Sequence, residues 1–254
     1  MTTRILLTAL RSGFLFCLLF SQVVKADALG LFFGVSGWTA DMSGDVQSGP
    51  SPVDVEDDLG FDTETLTQAY LAFEHFVPLI PNIRLQYTDL DFEGNAVLNK
   101  RFDGIDFSGD VSTEFNMSQT DLIAYWRLLD NVVNLDIGLQ VSLVEGDFSI
   151  QQADQSANDS STSADEYIPM GYLSAGIDLP LTGLSVNAGF SGGGNFDSHR
   201  YTDIRASLIY ELDFIGAEIG WRKLDLDLDD VSDVDADLSV SGPYIGVSLQ
   251  FGVL

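Results

Sequence analysis

Cysteine, basic charge and long apolar runs are all scarce in this chain. The one cysteine is Cys17, within the first thirty residues. A chain that loses that segment has no disulfide and no thiol chemistry. Eleven Lys and Arg stand against 39 Asp and Glu, a formal net charge of −28. A field so acidic repels nucleic acid and anionic surfaces, which excludes a basic, nucleic-acid-binding function. Histidine occurs only as His75 and His199. Past the N-terminal segment, no stretch approaches the roughly 18 apolar residues of a spanning helix. The chain is nevertheless 45% apolar, and those residues are patterned, which excludes general disorder.

The N-terminus reads MTTRILLTALRSGFLFCLLFSQVVKADA. Arg4 and Arg11 give a short basic start. An apolar stretch follows from Gly13 to Val24, and Ala26-Asp27-Ala28 fits small-x-small cleavage. The spacing predicts a secretory signal over residues 1–28. A membrane anchor would need roughly 20 apolar residues, more than this stretch holds. Cys17 follows Phe16 inside the apolar core, not a small residue, so a lipoprotein signal does not fit. Cleavage removes Arg4, Arg11, Lys25 and Asp27, leaving 38 acids against 8 bases over residues 29–254.

What remains alternates. In VVNLDIGLQVSLV (132–144), Val133, Leu135, Ile137, Leu139, Val141 and Leu143 share one face. Asn134, Asp136, Gly138, Gln140 and Ser142 share the other. Ten segments read as strands: 29–40, 66–77, 83–93, 111–128, 131–149, 167–179, 184–195, 201–212, 216–229 and 237–253. Segments three and nine change phase midway, as a bulge would make them do. Long linkers (41–65, 94–110, 151–166) alternate with tight ones (78–82, 129–131, 180–183, 213–215), while the fourth outer linker, around 196–200, is short and 230–236 closes the last hairpin. That rhythm predicts an all-β fold, a transmembrane antiparallel up-and-down barrel of ten strands filling residues 29–254. A soluble β-sandwich would also alternate, but the regular meander shows little sign of a Greek-key crossover.

An even strand number puts both termini on one side, and export makes that side periplasmic. Trp38, Tyr70, Phe73, Phe76, Tyr125, Trp126, Tyr210, Trp221, Tyr244 and Phe251 lie near strand ends, where interfacial girdles would want them. The last strand, GPYIGVSLQFGVL, carries Ile245, Val247, Leu249, Phe251 and Val253 on one face.

The stretches ADALGLFFGVSGW, AYLAFEHFVPLIPNIRLQYTDLDFEG, DLIAYWRLLDNVVNLDIGLQV and GPYIGVSLQFGVL cover most of the mature chain. They resemble an uncharacterised family of outer membrane β-barrel proteins of marine and related gammaproteobacteria. The PLIPNI turn is the most specific of these features. The resemblance implies a barrel in the cell outer membrane, handled by the outer membrane assembly machinery and in contact with outer membrane lipids and lipopolysaccharide. It assigns no activity to any residue.

If the apolar face meets lipid, alternation turns Glu74, Arg84, Arg127, Asp136, Arg205, Glu211, Glu218 and Arg222 inward. Glu74 then comes opposite Arg84, and Arg127 opposite Asp136, as cross-strand ion pairs. Glu211 and Glu218 approach each other across the 213–215 turn, with Arg205 and Arg222 placed to bridge them. Ten strands lie close to the size that side chains alone can fill. The expectation is a charge-plugged lumen with a structural or surface-interaction role. A narrow cation-preferring pore is the alternative.

Enzymatic readings rest on fewer residues. Asp197-Ser198-His199 has the Asp-x-His form of omptin-type proteases, with Asp57 and Asp58 as an opposing pair. A lipid-modifying hydrolase would need a Ser–His pair. His75 has Glu74 beside it, but neighbours on a strand face opposite sides. No enzyme is the expectation. VDVEDD (53–58) and DLDLDDVSDVDAD (225–237) place acids at the outer rim. There Asp225, Asp227 and Asp229 could bind Ca²⁺ or Mg²⁺ weakly. The second run breaks the EF-hand pattern at Asp230 and Ala236.

Overall fold

The computed structural model describes residues 29–49, 51–152, 159–194, 199–231 and 234–253. The expected leader, residues 1–28, lies outside them. Ten long strands follow one another: β1 (Leu29–Gln47), β2 (Glu64–His75), β3 (Asn82–Leu98), β4 (Gly109–Asp130), β5 (Val133–Gln152), β6 (Asp159–Leu179), β7 (Leu184–Gly193), β8 (His199–Leu212), β9 (Ile215–Val231) and β10 (Val234–Val253). Each pairs antiparallel with the next, and β10 returns to β1. The seam opens with Leu29 opposite Val253. The sheet is therefore a closed ten-stranded barrel with Leu29 and Val253 at one rim. Closure removes the edges that would otherwise leave backbone groups unpaired in lipid.

The strands are longer than a membrane requires. A tilted spanning strand needs about 9–11 residues, while β5 has 20. Its first half, Val133 to Leu143, turns leucine, isoleucine and valine outward, and most of these are exposed. The same holds for Leu31, Phe33 and Val35 on β1, Ile83 and Leu85 on β3, and Ile245 and Val247 on β10. Together they form one apolar belt round the short-turn end, the face that lipid covers.

Above the belt the polarity inverts. On β3, Ile83, Leu85 and Tyr87 point out, then Leu90 and Phe92 point in, while Asp89, Asp91 and Glu93 take the outer face. On β9, Ile219 and Trp221 point out. Leu224 and Leu226 then point in, with Lys223, Asp225 and Asp227 outside. The bulges expected midway along these two segments are absent; the one register shift in the β9–β10 pairing comes at the far end, past Leu228. β3 pairs with β4 from Asn82 to Leu98 without a shift. β9 keeps register with β10 through Leu228. The side chains never change face; the surroundings do. Lipid outside demands apolar residues, and water outside demands polar ones.

That second half also corrects the expected linkers. β1 continues to Gln47, β5 to Gln152, and β6 begins at Asp159. Much of 41–65 and 151–166 is thus strand rather than loop. Ser160 is buried and donates to Asp103 Oδ2 at 2.8 Å.

The outer lumen holds an apolar core. Met42, Leu90, Phe92, Met117, Ile150, Leu224 and Val240 point into it from the wall. Two connections fill it further. The β1–β2 connection tucks in Val53, Val55, Leu59 and Phe61, all buried. Its turn is set by Asp54, whose Oδ1 accepts from the amides of Glu56 and Asp57 at 2.9 and 2.8 Å. Gly60 then passes against the wall with φ +73°, where a Cβ would lie 2.5 Å from the Asn95 carbonyl oxygen. The β3–β4 connection forms a small hairpin, Arg101–Phe102 with Ile105–Asp106. Asp103 and Gly104 both have positive φ at its tip, the conformation an Asp-Gly turn favours. Phe102 caps the core, edge-on to Phe148 at 5.8 Å.

The expected aromatic girdle is only partly a girdle. Trp221, Phe73, Tyr210 and Phe251 face outward and are exposed. Trp38, Tyr125 and Tyr244 face the lumen and are buried. Tyr70 lines it too. Their even or odd place in the alternation decides this, not their nearness to a strand end.

Candidate functional site

Between the apolar outer core and the short-turn end, a polar belt crosses the lumen. Arg205 and Arg222 face each other on β8 and β9. Both grip Asp203. Arg222 donates through Nε and Nη2 at 3.1 and 2.9 Å. Arg205 does the same at 3.3 and 2.8 Å. Paired forks of this kind are the strongest polar contacts a carboxylate can accept. The third donor of each arginine reaches across the bore. Arg222 Nη1 donates to Thr88 at 2.9 Å, and Arg205 Nη1 to Gln86 Oε1 at 2.9 Å. The Arg222 guanidinium also lies 4.7 Å over the Trp38 ring, and its side chain is wholly buried.

Gln86 carries the belt onward to Asp121, whose Oδ2 it contacts at 3.0 Å. Asp121 also accepts from Gln119 at 2.8 Å and from Ser142. Tyr201 donates to Gln119 at 2.5 Å, and Ser191 to Gln140 at 2.7 Å. With Gln140 donating to Ser142 at 3.0 Å, side chains from six strands are tied into one network. Two arginines and two aspartates make it formally neutral, which is what a charged group removed from water requires.

Below the belt lies a cavity of about 290 Å³ toward the short turns. Arg127 there binds Glu74 at 2.6 Å and Asp136 at 3.3 Å. Tyr125 donates to the same Glu74 oxygen at 2.6 Å. Tyr244 donates to Glu218 at 2.7 Å. Arg84 sits 4.0 Å over the Tyr70 ring.

All eight charged residues expected in the lumen line it or are buried across it, but two expected partnerships differ. Glu74 is not opposite Arg84: the register sets Ala72 against Arg84. His75 ends β2 opposite Leu29 on β1, while the pairing of β2 with β3 stops at Phe73 opposite Ile83. The His75 amide donates to Asn82 Oδ1 at 2.9 Å, and its Nδ1 accepts from the Val77 amide at 3.2 Å. That leaves Arg127 as the base that reaches Glu74. Nor do Arg205 and Arg222 bridge Glu211 and Glu218. Glu218 lies opposite Ile209, one same-face step from Glu211, while both arginines are committed to Asp203. Asp203 and Asp121 are the charged belt residues that sequence reasoning missed. Asp203 was two positions from Arg205, hence on its face, and that spacing was the available signal.

The other candidates are scattered. Asp58 pairs with Lys100, which also donates to the Pro52 carbonyl at 3.0 Å. Asp57 is exposed in the same turn. His199 opens β8 opposite Leu228; Asp197 lies outside the described residues. Asp225 and Asp227 stand on the outer wall, with Asp225 held by Lys223 at 2.7 Å. Asp229 follows on the same strand. Among the described residues, no three acidic, histidine or cysteine side chains cluster as a metal site would need.

No protein-family model and no curated protein matches the chain. Among solved structures it is similar to the outer membrane protease OmpT from Escherichia coli, with a TM-score of 0.54 at 10% identity. That match covers 92% of this chain and 100% of the other. The translocator domain of the autotransporter NalP from Neisseria meningitidis gives 0.44 at 12% identity, over 98% and 97% of the two chains. Neisserial surface protein A gives 0.37 at 10%, over 87% and 97%. At 10% identity the match to OmpT, with its TM-score above 0.5, is a likeness of fold alone: a closed barrel of the Gram-negative outer membrane type.

Proposed function

We propose that this chain is a non-conducting, non-enzymatic outer membrane barrel that holds a rigid acidic wall outside the cell, in a structural or surface-interaction role. The short turns and both termini face the periplasm, and the extended half faces the exterior. The observation that carries this reading is the wholly buried Arg222 at the centre of a neutral, fully bonded belt. An ion crossing there would have to strip a carboxylate from two arginines, and would then meet an apolar core. The likeness to a protease is to its fold.

The outer wall would meet lipopolysaccharide. Asp237 stands directly opposite both Asp45 and Asp227 on neighbouring strands. Like charges so placed repel unless a cation intervenes. Divalent ions shared with lipid phosphates would supply that relief.

Planar bilayer recording tests the closed reading. The wild type should show no steady openings. Arg205→Ala with Arg222→Ala should remain largely closed, because the outer core persists. Adding a Gly/Ser replacement of residues 51–62 should produce openings. A stable wild-type conductance would make the chain a pore. Cleavage of peptides or lipid A that is lost in His199→Ala would make it an enzyme.

A further inference from the structure

The apolar outer core is not filled to the wall. A cavity of about 160 Å³ lies within it, lined by Met42, Phe61, Phe102, Phe115, Met117 and Leu226 among others. An apolar void of about this size stays dry and takes a benzene-sized guest. Among the described residues, the wall beside the cavity is low. β7 stops at Gly193, paired with Met170, whereas β6 runs on to Asp159 paired only with β5 among the described residues. Tyr167, Ile168 and Gly194, which line the cavity, stand at this step.

The lining also limits the guest. The buried side-chain polar atoms without a hydrogen-bond partner among the described residues belong to Gln68, Arg84 and Thr113, and none of these lines the cavity. A polar guest would lose its water and gain nothing there. Asp147 and Glu166 stand at the border, so a carboxylate or phosphate head would be repelled. Aromatic edges and two adaptable methionines suit a flat apolar ring. From the cavity, its lining and its border, we infer that the extended half of the barrel binds a small neutral aromatic molecule of a single ring.

After the expected leader the methionines are Met42, Met117 and Met170. Two line the cavity and the third does not. The full barrel, labelled at its methionine methyls and held in lipid nanodiscs, is titrated with toluene. The expected result is a saturable shift of the Met42 and Met117 methyls with Met170 nearly still. Gly146→Leu should abolish it, since a Cβ there would make only ordinary contacts, with Met117 at 3.7 Å and the Asn116 carbonyl oxygen at 3.8 Å, and the larger side chain would occupy the void. Ala236→Leu fills the same space from β10 and serves if the first variant fails to fold, as judged by heat-modified gel migration. A linear drift of all three methyls reports partition into lipid and overturns the inference. So does a saturable shift that survives in a folded filling variant.

Discussion

Arg205 and Arg222 stand directly opposite each other across two neighbouring strands, and the same carboxylate, Asp203, receives both. Like charges in this position would drive the strands apart. Asp203, two residues before Arg205, turns the repulsion into a clamp. Asp203→Asn should therefore destabilise the barrel by about 3–5 kcal/mol, the usual result of leaving buried charges without their partner. Urea unfolding in lipid vesicles, read by gel migration, measures it. Because the site is buried, added salt should restore little of the loss. Wild-type stability in this variant would show that the belt is not a structural clamp.

Gly60 and Gly104 share a φ of +73°, but only Gly60 presses against neighbouring backbone. Gly104→Ala should cost about 1–2 kcal/mol for the left-handed conformation alone. Gly60→Ala carries that cost and must also move the inserted turn off the Asn95 carbonyl. It should be the more damaging of the two and should expose Phe61 and Leu59. Equal losses on unfolding would mean that the inserted turn is not seated against the wall.

Partial desolvation first, then neighbouring Asp89 and Glu93, push the Asp91 carboxyl above its ordinary value. The folded state thus favours the protonated form. Ionised Asp91 lowers stability above the unfolded-state pKa, and the loss is relieved as pH falls through the folded-state pKa. Asp91→Asn should be at least as stable as wild type at neutral pH. It should gain less than wild type on acidification toward about pH 4. A variant less stable at neutral pH would reverse the sign argued here.

The three tryptophans report the lipid boundary. Trp221 faces outward and is exposed, Trp126 is half-buried on the outer face near the short turns, and Trp38 is buried in the lumen with its Nε1 donating to Gly242 at 3.1 Å. In single-tryptophan variants, brominated lipids should quench Trp221 and Trp126 and leave Trp38 bright. Strong quenching of Trp38 would place lipid where the barrel lumen is.

The ten strands were legible because period-two alternation needs no tertiary knowledge. Residues 133–143 and 245–253 declare their faces outright. The inverted half was not legible for the same reason. Leu90 after Tyr87, or Leu224 after Trp221, shifts the alternation by one whether the chain gains a residue or the solvent changes from lipid to water. Only the pairing partners distinguish the two. Lumen residues could be read from parity, but their partners could not. The pairing of β2 with β3 begins at Phe73 opposite Ile83, which sets Arg84 opposite Ala72. Asp203 gave no local sign that Arg222, nineteen residues later, would share it. The uncharged Gln86, Gln119 and Gln140 complete the belt without any charge to announce them.

The reversal of polarity along β3 and β9 acts as a depth gauge. Sliding a strand by one residue turns leucines to water above and glutamines to hydrocarbon below, so the error is penalised at both levels. Sliding by two keeps every face correct and would pass unnoticed in a strand of uniform pattern. Here it drags Lys223 and Asp225 into the lipid, or lifts Trp221 out of it. The crossover therefore fixes how far the barrel sinks as well as which strands meet, and a nascent chain threading into the membrane has one height at which to stop.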